Sequence, residues 1–207
     1  MLSQIKIWLF FSAETSIIIT CPLKAEMMNF NTQQISRLIF LIALTVIIEM
    51  LGLPQPVTGP LVNMMLFITT LVLTPLAGII LGSLTPVIAA LRGQLPGFLI
   101  PMVPFIIVGN AILVLVFSGI RRLLQRVENK SNVLLSLPVG LGILGGSFLN
   151  FVWLFYSATL LLPLLIRKPL PEPVIAMMAM PQFITAIVGG LLAVVILNLL
   201  KRRISLN

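Results

Sequence analysis

From Thr32 onward the chain alternates between long apolar runs and short segments that are polar or rich in proline. The clearest run extends from Leu61 to Leu91, contains no charged residue and is interrupted near its middle by Thr74-Pro75. A membrane helix needs about 20 apolar residues to cross a hydrocarbon core of ~30 Å, and fewer where neighbouring helices shelter it. The pattern therefore predicts two short helices, 61–73 and 75–91, joined by a tight proline turn.

The same pattern predicts four further spans, at 38–53, about 100–120, about 133–163 and about 174–199. We expect Thr32 to cap the first of them. We expect Pro163 to end the fifth, because proline cannot continue the hydrogen bonding of a helix. The predicted fold is an all-α integral membrane protein, in which six transmembrane helices form a compact bundle over residues 28–207.

Residues 1–27 are predicted to be a poorly defined N-terminal extension of this domain, either peripheral or poorly ordered. Their apolar run is interrupted by Glu14, and a carboxylate in the middle of a short run opposes membrane insertion by about 2.5–3.5 kcal/mol. Met27 or Met28 is an alternative start of the protein, because the membrane pattern begins only afterwards.

Composition supports a membrane protein. Hydrophobic residues make up 59% of the chain and charged residues 9%, whereas soluble domains carry about 25% charged residues. The short alternating segments of a membrane β-barrel are absent from the sequence. There is no histidine and only one cysteine, Cys21, so sites built from His and Cys ligands and a disulfide within the chain are excluded.

The net charge of +8 is explained by topology rather than by nucleic-acid binding, because the cations stand at the ends of apolar runs. With six spans, both chain ends share one side of the membrane. Eight cations lie on that side, namely Arg37, Arg121, Arg122, Arg126, Lys130, Lys201, Arg202 and Arg203. Three lie on the other side, namely Arg92, Arg167 and Lys168. The positive-inside rule then predicts that both termini are cytoplasmic.

Polar residues within the spans concentrate in the half of the membrane that this orientation places outside. Such groups need partners in lipid, and ionisable ones indicate a functional site by default. We therefore predict a substrate pocket open to the outside, lined by Glu49, Asn63, Arg92, Gln94, Asn110, Asn150, Trp153, Tyr156 and Gln182. Each has a simpler explanation: the asparagines bond between helices, the aromatics lie at the interface, and Glu49 neutralises Arg92.

The motifs of common enzyme classes are missing. There is no GxxxxGK[ST], no GxSxG and no HExxH. Aspartate is absent altogether, so Glu49 has no second carboxylate within a firm span for acid–base chemistry. We expect no enzyme activity, no catalytic residue, no metal site and no cofactor.

Two segments resemble a known family. LTPLAGIILGSLTPVIAALRG is similar to a glycine-rich helix that follows a proline turn, and VPFIIVGNAILVLVF is similar to the fourth span of the same proteins. The family is that of the substrate-binding membrane subunits (S components) of energy-coupling-factor (ECF) vitamin transporters. The resemblance covers roughly residues 28–203.

The resemblance implies a mechanism. An S component binds a vitamin or related micronutrient near the outer face and docks on a transmembrane scaffold subunit that carries two ABC-type ATPases. It is thought to topple in the membrane to release its substrate inside. The family often carries an AxxxA stripe on the first span for docking, whereas here Ala43 is flanked at four-residue spacing by Ile39 and Ile47.

Other small-residue stripes are alternative docking faces, although packing within the bundle explains them equally well. They are Gly78 and Gly82 on the third span, and Thr185, Gly189 and Ala193 on the sixth.

The resulting hypothesis is a micronutrient-capture subunit in a bacterial cell membrane, with the lipid bilayer, the scaffold and the two ATPases as partners. The aromatics would stack on a ring, the amides would bond to its edges, and Arg92 would pair with a carboxylate or phosphate. Arg92 thus slightly favours an anionic substrate, and a neutral one fits almost as well. Two alternatives stay open: a stand-alone secondary transporter or small channel with Glu49 as a relay, and a non-transporting scaffold whose polar residues only connect helices.

Overall fold

The computed structural model describes residues 31–94, 97–128, 137–166 and 172–204. All regular elements within these ranges are helical. The chain divides into two units, Met1–Arg37 and Leu38–Asn207. Of the first unit only residues 31–37 are described, and they form the beginning of the first helix. The predicted extension 1–27 and the two chain ends lie outside the described residues, so the side of the membrane on which each terminus lies stays a prediction.

The described elements are seven α-helices, a 3₁₀ helix and a π-helical turn. In chain order they are α1 (Thr32–Met50), α2 (Gln55–Val72), α3 (Pro75–Leu91), a 3₁₀ helix (Gly97–Met102), α4 (Val103–Glu128), α5 (Leu137–Tyr156), a π-helical turn (Ser157–Leu161), α6 (Leu162–Ile166) and α7 (Glu172–Ile204).

Five described stretches are long and apolar enough to cross a membrane, and α3, with 17 residues, is shorter. At 1.5 Å per residue, α3 extends about 26 Å, somewhat less than a hydrocarbon core of ~30 Å. The all-helical membrane architecture predicted from the sequence is confirmed.

Several predicted boundaries were wrong. The cap of α1 is Asn31 rather than Thr32: the Asn31 carbonyl accepts from the amides of Gln34 and Ile35, and the Asn31 amide donates to Gln34 Oε1 at 3.3 Å. Helix α2 begins at Gln55, six residues before the predicted start at 61. Its first turn contains Pro56, and proline is well suited to that position because the amides of a first turn have no partner within the helix.

Pro163 does not end the fifth span. The chain widens into a π turn at Ser157–Leu161, in which the Leu162 amide donates to the Ser157 carbonyl, and it continues as α6 to Ile166. Beside this turn, the Thr159 hydroxyl donates to the backbone carbonyl of Phe155 at 2.8 Å. Helix continuity is therefore kept through a proline by a local change of helix type.

Two helix pairs bring their backbones close together. Helix α5 packs on α4 through Gly146, where an added Cβ would lie 2.8 Å from the Leu113 carbonyl oxygen. Helix α7 packs on α2 through Gly189, where an added Cβ would lie 2.6 Å from the Pro60 carbonyl oxygen. Small residues permit such approaches, which matter in membranes because lipid supplies no hydrophobic drive for helix association.

The main core lies where α2, α3, α4, α5 and α7 meet. Phe67 and Phe117 form an edge-to-face pair there, with ring centroids 5.0 Å apart. A second apolar cluster joins the 3₁₀ helix and the start of α4 to the end of α5; its buried members are Leu99, Met102, Ile106, Leu154, Ala158 and Leu162. Ile106 connects this second cluster to the site described next.

Candidate functional site

A cavity of about 100 Å³ lies at the end of the bundle where α1 and α3 finish and α2 and α4 begin. Its wall is apolar in places, as at Val62, Leu66 and Ile106, and carries several polar side chains. The complete lining is Glu49, Gln55, Thr58, Gly59, Val62, Asn63, Leu66, Thr85, Pro86, Ala89, Gln94, Ile106, Asn110 and Gln182. Apolar walls with a few convergent polar groups are typical of small-molecule sites.

Five of the nine residues predicted to line a pocket do line this cavity. They come from four helices and one loop, and they are Glu49, Asn63, Gln94, Asn110 and Gln182. The other four, Arg92, Asn150, Trp153 and Tyr156, lie outside the lining, and each has a different environment.

Glu49 is the acidic residue of the cavity. Its side chain is only 3% exposed, and its Oε2 atom is buried without a hydrogen-bond partner. A buried polar atom that lacks a partner costs free energy, so this oxygen is well suited to receive a donor from a ligand. In the part of the chain that the structure describes, no three His, Cys, Asp or Glu side chains lie close enough together to hold a metal ion.

Arg92 is half-buried, and its guanidinium is hydrogen-bonded to the backbone of the protein. Its Nη1 donates to the backbone carbonyl of Glu49, one of the last carbonyls of α1 that have no amide partner within the helix. Its guanidinium also acts electrostatically on the Glu49 carboxylate. Two residues after the end of α1 the chain turns at Gly52, where φ is +77° and an added Cβ would lie 2.8 Å from Arg92 Nη2. Arg92 therefore caps α1, and its positive charge interacts favourably with the negative C-terminal end of the helix dipole.

The end of α3 explains how Arg92 and Gln94 diverge. The Gly93 amide donates to the Ala90 carbonyl and the Gln94 amide to the Ala89 carbonyl, with Gly93 at φ +76°. This is the Schellman pattern, which needs a left-handed residue at Gly93. It turns the chain so that Arg92 reaches α1 while Gln94 borders the cavity.

Asn63 belongs to a hydrogen-bond chain between α2 and α7. Thr185 Oγ1 donates to the Gln182 carbonyl at 3.1 Å, so it accepts from Asn63 Nδ2 at 3.3 Å. The amide orientation of Asn63 follows, and its Oδ1 is left as an acceptor. The close approach at Gly59, where an added Cβ would lie 2.8 Å from Thr185 Cγ2, brings the two helices together here.

Asn110 completes a hydrogen bond that a proline removes. Within α3 the Gly82 carbonyl would normally accept from the amide at position 86, but Pro86 has none. Asn110 Nδ2 donates to this carbonyl at 2.7 Å, and Thr85 Oγ1 donates to it at 3.3 Å. Since a carbonyl only accepts, the orientation of the Asn110 amide is determined, and its Oδ1 is again left as an acceptor.

Asn150 and Trp153 contact helix α4 rather than the cavity. Asn150 is 1% exposed and faces Gly109 of α4, where an added Cβ would lie 2.4 Å from its Oδ1. Trp153 Nε1 donates to the Phe105 carbonyl at 2.9 Å, which ties α5 to the start of α4. Tyr156, the next residue on that stripe, is 55% exposed.

The sequence analysis missed three polar lining residues: Gln55, Thr58 and Thr85. Gln55 and Thr58 were assigned to the loop before the second span, although a proline at position 56 is a signal for a helix start. Thr85 was overlooked because its hydroxyl is an ordinary feature of an apolar helix, and only the position of Pro86 next to it reveals its role.

The three residues proposed for docking differ in exposure. Ala43 is exposed on α1, as are its neighbours at four-residue spacing, Ile39 and Ile47. Gly78 and Gly82 are buried: an added Cβ would lie 2.2 Å from Thr70 Oγ1 at Gly78 and 2.8 Å from Leu66 Cδ1 at Gly82.

Comparison with known proteins identifies the family. Residues 33–200 match the family model described as "ECF transporter, substrate-specific component", and this region contains the whole cavity lining. Neither a curated protein nor a solved structure matches the chain. The matched family consists of transporter components rather than enzymes. Because the match covers most of the chain, the protein belongs to the family of substrate-specific components of ECF transporters.

Proposed function

We propose that this protein captures a small, vitamin-like molecule in the cavity at the ends of α1 and α3, and delivers it through an ECF scaffold subunit driven by two ABC ATPases. The observation that carries the proposal is the position of the cavity. Polar side chains from α1, α2, α3, α4 and α7 meet at one end of an otherwise apolar membrane bundle.

The orientation of α4 supports an extracellular cavity in a bacterial cell membrane. Asn110 lines the cavity near the start of this helix, and Arg121 and Arg122 lie 11 and 12 residues further along it. At 1.5 Å per residue this separation is about 16–18 Å along the helix axis. The positive-inside rule assigns the arginine end to the cytoplasm and therefore the cavity to the outer half of the membrane.

The size of the cavity restricts the ligand. About 100 Å³ accommodates several water molecules, but pockets for drug-sized ligands measure about 300–1,000 Å³. A ligand of vitamin size therefore requires the cavity to widen. The long side chains of Gln55, Gln94 and Gln182 are the lining groups best able to move, because an amide on a flexible stem can exchange partners at low cost.

Docking is assigned to the exposed face of α1. The Ile39, Ala43 and Ile47 stripe is available at the bundle surface, whereas Gly78 and Gly82 are covered by side chains of the bundle itself. A small residue between two β-branched residues leaves a shallow notch for a partner helix.

Uptake measurements test the proposal. The chain is expressed with and without an ECF scaffold and its two ATPases, and the small molecule that copurifies with it is identified by mass spectrometry. We expect that molecule to be a micronutrient, and we expect its uptake to require all the partners and ATP hydrolysis. Equal uptake without them would contradict the proposal, and uptake driven by a proton gradient in liposomes would indicate a secondary transporter instead.

A further inference from the structure

The buried side-chain atom of the cavity lining that lacks a partner is an acceptor, Oε2 of Glu49, although the glutamine amides and one N–H each of Asn63 and Asn110 are also open to a ligand. Asn63 and Asn110 each give one N–H to a protein oxygen, and their Oδ1 atoms are left as acceptors. The hydroxyl of Thr58 donates to the Leu53 carbonyl at 2.9 Å, and that of Thr85 to the Gly82 carbonyl. Each of these hydroxyls then has only lone pairs for a ligand.

Glu49 adds the strongest acceptor. Its carboxyl group borders the cavity, its side chain is only 3% exposed, and Oε2 has no hydrogen-bond partner. A cationic donor here would bond to this oxygen and also favour the ionised form of the carboxyl, and such charge-assisted hydrogen bonds are about twice as strong as neutral ones. A ligand N–H that reaches this carboxylate would satisfy the most costly unpaired atom of the site.

Arg92 does not provide the opposite preference. Its guanidinium is committed to the Glu49 carbonyl at the end of α1 and does not belong to the lining. A carboxylate or phosphate in the cavity would lie beside the acidic Glu49 side chain, and two neighbouring acidic groups disfavour each other's ionised forms. The expectation of an anionic substrate, drawn from Arg92 in the sequence, is therefore not the one that the geometry favours.

We propose that the cavity selects ligands that present N–H donors, preferably on a cationic group, to Glu49, with the Asn63 and Asn110 oxygens as secondary acceptors. The substrate class is a nitrogen-rich compound such as an amino-substituted heterocycle, rather than a carboxylic acid or phosphate ester. This inference rests on the proposed function, because it assumes that the cavity is the substrate site.

Three probes of similar size and shape test the preference: benzamidinium, which only donates, benzamide, which donates and accepts, and benzoate, which only accepts. Dissociation constants are obtained from thermal-shift titrations of the full chain in detergent, because a ligand that binds the folded state raises the unfolding temperature. We expect benzamidinium to bind most tightly, benzamide less tightly and benzoate least tightly.

Variants then assign the preference to Glu49. Glu49→Gln keeps the shape of the side chain and removes its charge, and it should weaken benzamidinium binding by about tenfold or more while leaving benzoate binding no weaker. Glu49→Asp keeps the carboxylate and should preserve the order of the three probes, which guards against misfolding of the Gln variant. Ser83→Ala is the matched control, since Ser83 donates to the Ile79 carbonyl of its own helix and does not line the cavity.

The outcomes separate this inference from the proposed function. Tightest binding of benzoate, an unchanged benzamidinium constant in Glu49→Gln, or no stabilisation by benzamidinium at millimolar concentration would each overturn the donor preference. None of these results alters the uptake experiment, in which dependence on the scaffold and ATPases is judged separately. Conversely, the expected order of probes together with uptake that needs no ATPase would retain the preference and reject the ECF mechanism.

Discussion

Pro86, in the cavity wall, interrupts the hydrogen bonding of α3, and a side chain from another helix replaces the missing bond. The proline removes the amide partner of the Gly82 carbonyl, and Asn110 of the next helix supplies an N–H at 2.7 Å. In a membrane interior water cannot replace that bond, so backbone groups freed by proline must find partners in the protein. The asparagine thus has a structural duty in addition to the acceptor that it offers to the cavity.

This structural role predicts an energetic coupling between Asn110 and Pro86. Asn110→Leu should lower the free energy of unfolding by about 1–3 kcal/mol, the cost of leaving a buried acceptor without a good partner. In the background of Pro86→Ala, whose backbone N–H can bond to Gly82, the same substitution should cost less than half as much. Reversible unfolding in mixed micelles, measured for both single variants and the double variant, gives the coupling energy.

Additivity would contradict this account. If Asn110→Leu costs the same in both backgrounds, the Gly82 carbonyl is not the group that Asn110 serves, and the bond at 2.7 Å has no energetic weight. Pro86→Ala alone provides the control, and it should be neutral or stabilising because it restores a regular helix.

Arg92 gives a second prediction at the level of single residues. Arg92→Ala should lower the free energy of unfolding by about 1 kcal/mol, because it removes the donor to the Glu49 carbonyl at a half-exposed position. Arg92→Lys should recover part of that loss, since an ammonium also donates to a carbonyl. Thermal unfolding of both variants without ligand provides the test, and an unchanged midpoint in Arg92→Ala would show that the helix end does not need the cap.

Residue chemistry explains which candidate site residues could be predicted from the sequence. Glu49, Asn63 and Asn110 would be energetically unfavourable in contact with lipid, so the sequence alone marks them as candidates. Asn150 carries the same signal, yet it faces Gly109 in a helix interface rather than the cavity. Polarity alone does not distinguish a ligand group from a group that contacts a neighbouring helix. The direction of a side chain depends on helix rotation, which an apolar sequence leaves almost undetermined.

Among the elements, α4 and α5 approach each other closely at two glycines of α5. Added Cβ atoms at Gly142 and Gly146 would lie 3.0 Å from the Phe117 carbonyl oxygen and 2.8 Å from the Leu113 carbonyl oxygen. The four-residue spacing puts both glycines on one face of α5. The neighbouring atoms belong to backbone, so no side-chain rotation can relieve a clash there.

Gly146→Ala is therefore expected to force α4 and α5 apart, and to lower the free energy of unfolding by about 1–3 kcal/mol. Gly119→Ala is the matched control on α4, because an added Cβ there meets nothing within 4 Å. The control should be neutral or stabilise the protein by up to about 1 kcal/mol, because alanine is the better helix former. Thermal unfolding of the two variants, purified identically, decides between a packing role and a general need for glycine, which equal losses would indicate.

The elements themselves were largely predictable, and their ends were not. Apolar runs located every long helix, because length and hydropathy are dictated by the bilayer. The prolines made two predicted boundaries wrong: one helix begins earlier than predicted, and one continues further than predicted. Pro60 precedes the predicted start of the second span at 61 but lies within α2, and Pro163 is predicted to end the fifth span but lies within α6. A membrane helix tolerates proline where neighbouring groups satisfy the freed carbonyl, and that condition depends on tertiary contacts.

At the scale of the whole molecule, the cavity and the proposed docking face occupy different parts of α1. Glu49 lies one residue before the end of the helix and faces the cavity, whereas Ala43 lies six residues earlier and is exposed. About 9 Å of helix separates them along the axis. Ligand binding and scaffold association should therefore respond to different substitutions, provided that the helix itself stays intact.

Ala43→Trp fills the notch between Ile39 and Ile47 with a bulky ring. It should weaken association with the scaffold by about fivefold to 150-fold, the effect of about 1–3 kcal/mol of overpacking at a close helix contact. Benzamidinium binding to the isolated chain should not change. Pull-down of the scaffold and ATPases gives the first quantity, and thermal-shift titration gives the second.

Leu144→Trp supplies the comparison, since Leu144 is likewise an exposed apolar residue, 50% accessible, but on α5. Equal losses of association in both variants would mean that any bulky surface residue disturbs assembly, and the α1 face would lose its special status. A loss confined to Ala43→Trp, with binding retained, would instead assign capture to the cavity and coupling to the flank of the same helix. Movement of α1 within the complex could then connect the two events, because a rigid helix that is held by a partner at Ala43 necessarily carries Glu49 with it.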